Sequence, residues 1–197
     1  MYQPQIVLAS TSPYRRELLE RLRIPFIPMA PECDETPHPG EPPIDLSRRL
    51  ARDKAVSLSD QFAEALIIGS DQVAELDGKP LGKPGTHEKA VIQLEQASGK
   101  AVGFHTAVCV VDTRTMAIYE YVDRTEVHFR HLNEEEIESY LYAEQPYDCA
   151  GSFKSEGLGI ALFRGIQNQD PSAIMGLPLI WLSQALMGCG VDLFSDQ

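Results

Sequence analysis

Cysteine is scarce in this chain, and the few cysteines do not cluster. The 197 residues include Cys33, Cys109, Cys149 and Cys189, with no C-x-x-C spacing among them. That argues against a thiolate zinc site and against a disulfide scaffold. Basic charge is also short. There are 17 Lys and Arg against 29 Asp and Glu, a formal net charge of −12. An acidic surface repels nucleic-acid polymers and anionic membranes, so neither is an expected partner. No apolar stretch reaches the roughly 18 residues of a membrane-spanning helix. The start, Met1-Tyr2-Gln3-Pro4-Gln5, has neither the basic residues nor the apolar core of a secretory leader. The expected compartment is the cytoplasm. Three catalytic signatures are missing as well: the G-x-x-x-x-G-K-[ST] phosphate loop, the G-x-G-x-x-G dinucleotide turn and the G-x-S-x-G nucleophile elbow. The five histidines form no H-x-x-x-H pair.

What remains is an ordinary globular composition, 43% hydrophobic and 23% charged. The length suits one domain over residues 1–197, with a sizeable core. Residues 5–9 (QIVLA) read as a short buried strand. Ser12 is a good N-cap and Pro13 a good first helical residue, and Leu18, Leu19 and Leu22 mark one helix face to about residue 22. Residues 28–43 hold six prolines and read as a loop, which also carries Glu32, Asp34 and Glu35. A helix is expected over 44–58, with Leu46, Leu50 and Leu58 in an i, i+4 ladder. A second apolar strand, 65–70, should end at Asp71-Gln72. A glycine/proline loop at 78–85 precedes a helix capped by Thr86.

Residues 100–111 and 116–129 read as long strands joined by a turn at 112–115. Asn133 caps the next helix, with Glu136 at its capping-box position. A polar loop at 148–159, a strand at 159–163 and a helix at 177–187 complete the series. Strands and helices are mixed, so the expected class is α/β with a mixed sheet. The two long strands supply either core or a dimer surface, and a homodimer is the favoured expectation.

Six features carry chemistry. Ser10, Ser12 and Arg15 surround a helix N-terminus, whose free N–H groups attract anions; the same residues also suit a plain cap with solvated arginines. Asp71-Gln72 follows a strand, where ligands of open α/β sheets sit. A carboxylate there can hold Mg²⁺ or draw a proton from water, or simply end a turn. Lys54 interrupts an apolar ladder, so it either snorkels to water or points into a cleft. Lys83 in Gly82-Lys83-Pro84 suits a phosphate contact or a solvated loop. The acidic loop 32–35 offers hard oxygen ligands for Mg²⁺ or Mn²⁺, or is merely hydrated. Glu156 is a carboxylate between small residues. Separated cations, separated carboxylates and no covalent nucleophile fit metal-assisted hydrolysis of a polyphosphate better than acyl transfer.

In order and spacing, these residues resemble the Maf family of nucleotide pyrophosphatases. The resemblance runs through LASTSPYRRELLERL at 8–22, Glu32-Cys33-Asp34-Glu35, Ala51-Arg52-Asp53-Lys54-Ala55, Gly69-Ser70-Asp71-Gln72 and Gly82-Lys83-Pro84. It continues through Ser98-Gly99-Lys100, Asp148-Cys149-Ala150-Gly151 and Gly176-Leu177-Pro178-Leu179. It implies an α/β fold like that of the inosine-triphosphate pyrophosphatases, an elongated mixed sheet with two lobes around a deep cleft. It implies hydrolysis of a nucleoside triphosphate to a monophosphate and pyrophosphate with a divalent cation, Mg²⁺ or Mn²⁺. Asp71 would accept the proton of water. Ser10, Arg15, Lys54 and Lys83 would hold phosphates. Glu35 and Asp71 would be the metal ligands.

Three departures bear on specificity. Many relatives have Ser-Pro-Arg-Arg where this chain has Ser12-Pro13-Tyr14-Arg15, a lysine in place of Cys149, and a glutamine in place of Glu156. Those relatives favour dTTP and UTP. The segment CAGSFKSEG at 149–157 is similar instead to the branch acting on 7-methyl-GTP. N7 methylation makes guanine cationic. Tyr14 could stack on that cation, Glu156 could accept its N1–H and amine, and Gln72 could read a base edge. Two alternatives stand beside this: a dTTP/UTP pyrophosphatase, and a nucleotide-binding regulator of septum formation.

Overall fold

In the computed structural model, which describes residues 4–194, the apolar run at the start is strand β1 (Gln5–Ala9). The leader reading of Met1, Tyr2 and Gln3 lies outside the described residues. The chain continues through helix α1 (Pro13–Glu20), β2 (Ile27–Met29), α2 (Pro43–Val56), β3 (Ala65–Leu76) and β4 (Lys79–Leu81). Then come α3 (His87–Ala97), β5 (Ala101–Asp112), β6 (Ala117–Phe129), α4 (Glu134–Glu144), β7 (Phe163–Gln167) and α5 (Leu179–Gly188). The seven strands form one mixed sheet in the order β2-β1-β3-β5-β6-β7, with β4 also on β3. The β1 pairings with β2 and β3 are parallel and the other pairings antiparallel. This is the mixed α/β architecture expected from the sequence.

Local signals were reliable at helix starts. Ser12 Oγ accepts from Arg15 N at 3.4 Å and Thr86 Oγ1 from Lys89 N at 3.4 Å. Asn133 and Glu136 close a reciprocal capping box at 2.9 and 3.0 Å. The boundaries of two helices shift by a few residues, to Pro43–Val56 and Leu179–Gly188.

Other expectations are corrected. Asp71 and Gln72 do not end a strand; they lie inside β3, which runs on to Leu76 against β5. Successive strand residues face opposite sides, and each of these two finds polar partners on its own side. The strand expected at 159–163 is a 3₁₀ turn, Leu158–Leu162, and pairing with β6 begins only at Phe163. Gly159 packs so closely on Lys154 that a Cβ would lie 2.3 Å from the Lys154 carbonyl oxygen. The loop expected at 78–85 contains a three-residue strand, β4, and the one at 28–43 supplies the last two residues of another, β2. Both include a proline, Pro28 and Pro80, as edge strands tolerate.

The core is divided. On one face of the central strands, Ile6, Leu8, Ile68, Val108 and Val110 pack with Leu18 and Leu19 of α1 and Leu182 and Leu186 of α5. On the other face, Val7, Ile67, Ala107 and Val111 meet Ala51 and Ala55 of α2. A separate cluster joins the far ends of β5 and β6 to α3, α4 and Phe153. α2 lies so close to β3 that a Cβ on Gly69 would stand 2.1 Å from the Ala51 carbonyl oxygen. β1 pairs with β3 only as far as Gly69, and β4 pairs with it only from Ala74. Residues 70–73 therefore have β5 on one side and no strand on the other. A cleft opens at that gap.

Candidate active site

The cleft encloses about 690 Å³. Its lining includes the nine residues to which the resemblance gives a role: Ser10, Tyr14, Arg15, Glu35, Lys54, Asp71, Gln72, Lys83 and Glu156. They come from α1, α2, β3 and four loops.

At the centre is a buried ion pair. Lys54 Nζ lies 2.6 Å from Asp71 Oδ1 and 2.8 Å from Glu35 Oε1. Lys54 is 6% exposed and Asp71 8%, so the lysine points into the cleft and does not snorkel. Its place on α2 between Leu50 and Leu58 sends it toward β3. The close packing of α2 on Gly69 brings Asp71 within reach. Taking two charges out of water costs several kcal/mol per ion, so such a pair adds little net stability and points to a role in the cleft. Glu35 is more exposed. The hydrogen bond from Lys54 holds its carboxyl below the usual range, with Lys54, Lys83 and Arg15 adding attraction against partial burial. Of the acidic trio at 32–35, only Glu35 lines the cleft. Asp34 instead accepts from Thr36 N at 2.9 Å within its own loop.

Ser10 and Arg15 stand beside this pair at the start of α1. Ser10 Oγ accepts from Ser12 N at 3.1 Å and lies 3.5 Å from a terminal nitrogen of Arg15. Arg15 Nε donates to the Gly176 carbonyl at 3.0 Å. Burial lowers the Arg15 pKa while Asp71 and Glu35 raise it. Lys83 is exposed, lines the cleft and attracts Glu35. Four cationic or hydroxyl groups thus gather at one end of the cleft.

The other end is aromatic and acidic. Tyr14, Asp148, Cys149 and Glu156 line it, with Phe104 and Phe153 beneath. Burial, then the neighbouring Cys149, Asp148 and Glu156, push the Tyr14 phenol up to about 12. Burial likewise pushes the Cys149 thiol up to about 12. Both groups stay neutral. The cation nearby is Lys154, which counters part of the rise in the Cys149 pKa and donates to the Glu144 carbonyl at 3.3 Å. Cys149 Sγ donates to Asp148 Oδ1 at 3.5 Å.

Gln72 is tied to the protein. Its Nε2 donates to Thr106 Oγ1 at 2.9 Å and faces the carbonyls of Ile174 at 3.0 Å and Ala173 at 3.1 Å. Only its amide oxygen is left for a base edge.

Sequence reasoning noted Gly176-Leu177-Pro178 but gave no site role to the segment 170–178, which forms a wall of the cleft through Ile174, Met175 and Gly176. Its anchor is Asp170, whose carboxylate accepts from Ser172 N at 2.9 Å and from Ile180 N at 2.7 Å, capping α5. An Asp ten residues before the N–H it caps leaves no local pattern to read. Thr106 was missed and Ser70 was given no role of its own, because both lie inside apolar strand runs.

Two carboxylates of different elements, Glu35 and Asp71, converge on one cation, the Lys54 ammonium. That donor set fits Mg²⁺ or Mn²⁺ bound jointly with substrate phosphates, since Mg²⁺ commonly takes one or two carboxylates and completes its shell elsewhere. Among the described residues no group of three or more His, Cys, Asp or Glu forms a cage on its own. No helix among them is long and apolar enough to cross a membrane.

Comparison with known proteins follows the same lines. The family described as "Maf-like protein" matches residues 5–189. A curated 7-methyl-GTP pyrophosphatase of Polaromonas sp. (strain JS666 / ATCC BAA-500) is 56% identical over 192 residues, covering 98% of this chain and 88% of that protein. The 7-methyl-GTP pyrophosphatase of Ralstonia nicotianae is 52% identical and covers 98% of this chain and 100% of its own length. The one from Hydrogenovibrio crunogenus is 50% identical over 96% of this chain and 95% of its own. Among solved structures, the Staphylococcus aureus Ham1 protein aligns with a TM-score of 0.55 at 13% identity, over 93% of this chain and 98% of that one. That likeness is one of fold, and it is the fold expected from the sequence.

Proposed function

The chain belongs to the Maf-like family, and from that premise we propose that it hydrolyses 7-methyl-GTP to 7-methyl-GMP and pyrophosphate. One observation carries the reading: a single cleft joins a cationic end built on Lys54, Arg15 and Lys83 to an aromatic, acidic end built on Tyr14 and Glu156. A triphosphate is anionic and an N7-methylated guanine is cationic, so the substrate has the opposite polarity along its length. The relatives above, at 50–56% identity, carry the same activity in their names.

In this mechanism Ser10, Arg15, Lys54 and Lys83 hold the phosphates. Asp71 takes a proton from a water that attacks the α-phosphorus. The bond to the bridging oxygen breaks, and pyrophosphate leaves with the electron pair. Lys54 pins Asp71 Oδ1 at 2.6 Å and leaves the second oxygen for the water. Glu35 and Asp71 would hold a divalent cation, which supplies charge neutralisation on the phosphates when bound. Tyr14 stacks on the charged base, a contact worth about 0.5–2 kcal/mol. Glu156 accepts from the guanine N1–H and amine. Clearing modified nucleotides from the precursor pool is the cellular role this reading implies.

The same proposal places the enzyme in the cytoplasm, where four free cysteines meet a reducing environment. It includes a homodimer, supported by Met116, Ile118 and Tyr119, which stay 40–54% exposed around the start of β6. Sedimentation would check that part.

The test is pyrophosphate release from 7-methyl-GTP, GTP, UTP and dTTP side by side with Mg²⁺ or Mn²⁺, with Asp71→Ala as control. Preference for 7-methyl-GTP, lost in the control, is the expected result. Preference for UTP or dTTP would keep the reaction and discard the base assignment. Tight nucleotide binding without release would favour the regulator.

A further inference from the structure

One side chain outside the cleft joins a phosphate-side loop to the base-side loop. Gln93 lies midway along α3, half-buried, and is not among the residues that line the cleft. Its Nε2 donates to the Gly82 carbonyl at 3.0 Å, and Gly82 lines the cleft next to Lys83. Its Oε1 accepts from Ser152 Oγ at 2.5 Å, within the stretch that carries Cys149 and Glu156. A carbonyl only accepts, so the NH₂ end of the amide faces Gly82 and the amide oxygen is left for the hydroxyl. Two bonds arranged donor to acceptor through one amide polarise and strengthen each other. Ser152 is fully buried, in a 3₁₀ turn at Ala150–Ser152. Ala150 and Phe153, close on either side of it, both line the cleft. The helix between the two loops is firmly seated: Ala90, Leu94 and Ala97 are buried in one cluster with Phe129, Ile137 and Leu141. The loops also meet where one ends and the other begins. Gly85 N donates to the Tyr147 carbonyl at 2.9 Å, and His87 Nδ1 lies 3.0 Å from the Tyr147 hydroxyl. Gln93 is the link that reaches inward, to the neighbours of Lys83 and Phe153.

We propose that Gln93 is a positioning residue that couples the two ends of the cleft. A base seated at Phe153 and Glu156 fixes Ser152; the Gln93 amide passes that constraint to the Gly82 carbonyl, and so sets Lys83 against the phosphates. This rests on the reading that the cleft takes a nucleoside triphosphate along its length. It differs from plain packing in a measurable way. An amide that only packs would lower stability when removed and leave the relation between the two ends as it was.

The probe is 7-methyl-GTP, whose binding to the full chain is measured by titration calorimetry without divalent cation, so that no turnover is needed. Lys83→Ala and Glu156→Gln form a double-mutant cycle, run once in the wild-type background and once in Gln93→Leu. In the wild-type background the double variant should bind about tenfold tighter than the product of the two single losses, the scale of coupling between linked sites. In Gln93→Leu the two losses should multiply to within about twofold, as they do for independent sites. Ser152→Ala cuts the same link from the other side and should give the same result; it stands in if Gln93→Leu does not fold. Losses that already multiply in the wild-type background, or coupling that survives in either variant, would overturn the inference, whatever happens to the melting temperature. Binding of 7-methyl-GTP without pyrophosphate release under Mg²⁺ or Mn²⁺ would overturn the enzymatic reading, and the cycle would still decide this one. A wild-type chain that does not bind 7-methyl-GTP overturns both.

Discussion

Lys54 and Asp71 meet at 2.6 Å inside the protein, one on a helix and the other on a central strand. The contact depends on how closely that helix approaches the strand, and Gly69 sets the approach. Asp71→Asn keeps the shape and removes the proton acceptor. Pyrophosphate release should fall by about 10²–10⁴-fold, the range of a lost general base. Far-ultraviolet circular dichroism should be unchanged. Residual turnover near the wild-type rate would move the proton acceptor elsewhere.

Gly69→Ala tests the approach itself. The new methyl would stand 2.1 Å from the Ala51 carbonyl oxygen and 2.7 Å from Ala55 N, both backbone atoms. The helix must shift, at a cost of about 1–3 kcal/mol. The unfolding midpoint should drop by several degrees in a thermal scan, since each kcal/mol is worth about 2–4 °C at this size. Activity at low temperature should fall as well, because the shift carries Lys54 away from Asp71.

Specificity is expected to follow the aromatic, acidic end. Tyr14→Arg combined with Glu156→Gln adds one positive charge and removes one negative charge beside Cys149. Preference should move from 7-methyl-GTP toward uncharged pyrimidine triphosphates in competitive pyrophosphate-release assays. An unchanged order of substrates would refute the cation-stacking account.

Acid should loosen the loop that carries Glu35. Arg49 clamps Glu41 with two short bonds, Nε to Oε1 at 2.7 Å and a terminal nitrogen to Oε2 at 2.8 Å, and also donates to the Thr36 carbonyl. The Arg49 bond first, then the backbone N–H of His38, hold Glu41 down from 4.5 to about 2. A carboxylate held low in the folded state stabilises that state above its unfolded value, and the contribution fades as pH falls from 4.5 through about 2. Glu41→Gln should therefore melt below wild type at pH 6, and the gap should shrink as pH drops through that window. A gap that stays constant with pH would show that packing, and not charge, holds the clamp.

Much of this was legible in the chain. Ser12, Thr86 and the Asn133–Glu136 box announce three helices because capping is a local interaction. Ser10, Arg15, Glu35, Lys54, Asp71 and Lys83 could be picked out by residue type and spacing, and they share one cleft. What could not be read depends on distant partners. Asp71-Gln72 looked like the end of a strand because polar residues seldom continue an apolar run. β3 continues because Lys54 satisfies one of them and Thr106 the other, from residues 17 and 34 positions away. β2 and β4 exist only as additions to strands already in place. The carbonyl wall at 173–176 depends on Gln72 and Thr106, about a hundred and about seventy residues before it.

The two ends of the cleft are carried by different parts of the chain. Every phosphate-side group lies between Ser10 and Lys83, while Asp148, Cys149 and Glu156 come from one short stretch far downstream. Only Tyr14, next to Arg15 on α1, belongs to both: it lies in the first stretch and lines the base end. An exchange of 148–157 as a cassette therefore leaves Asp71, Lys54 and Glu35 untouched, and Tyr14 is the single position outside it that must change with it.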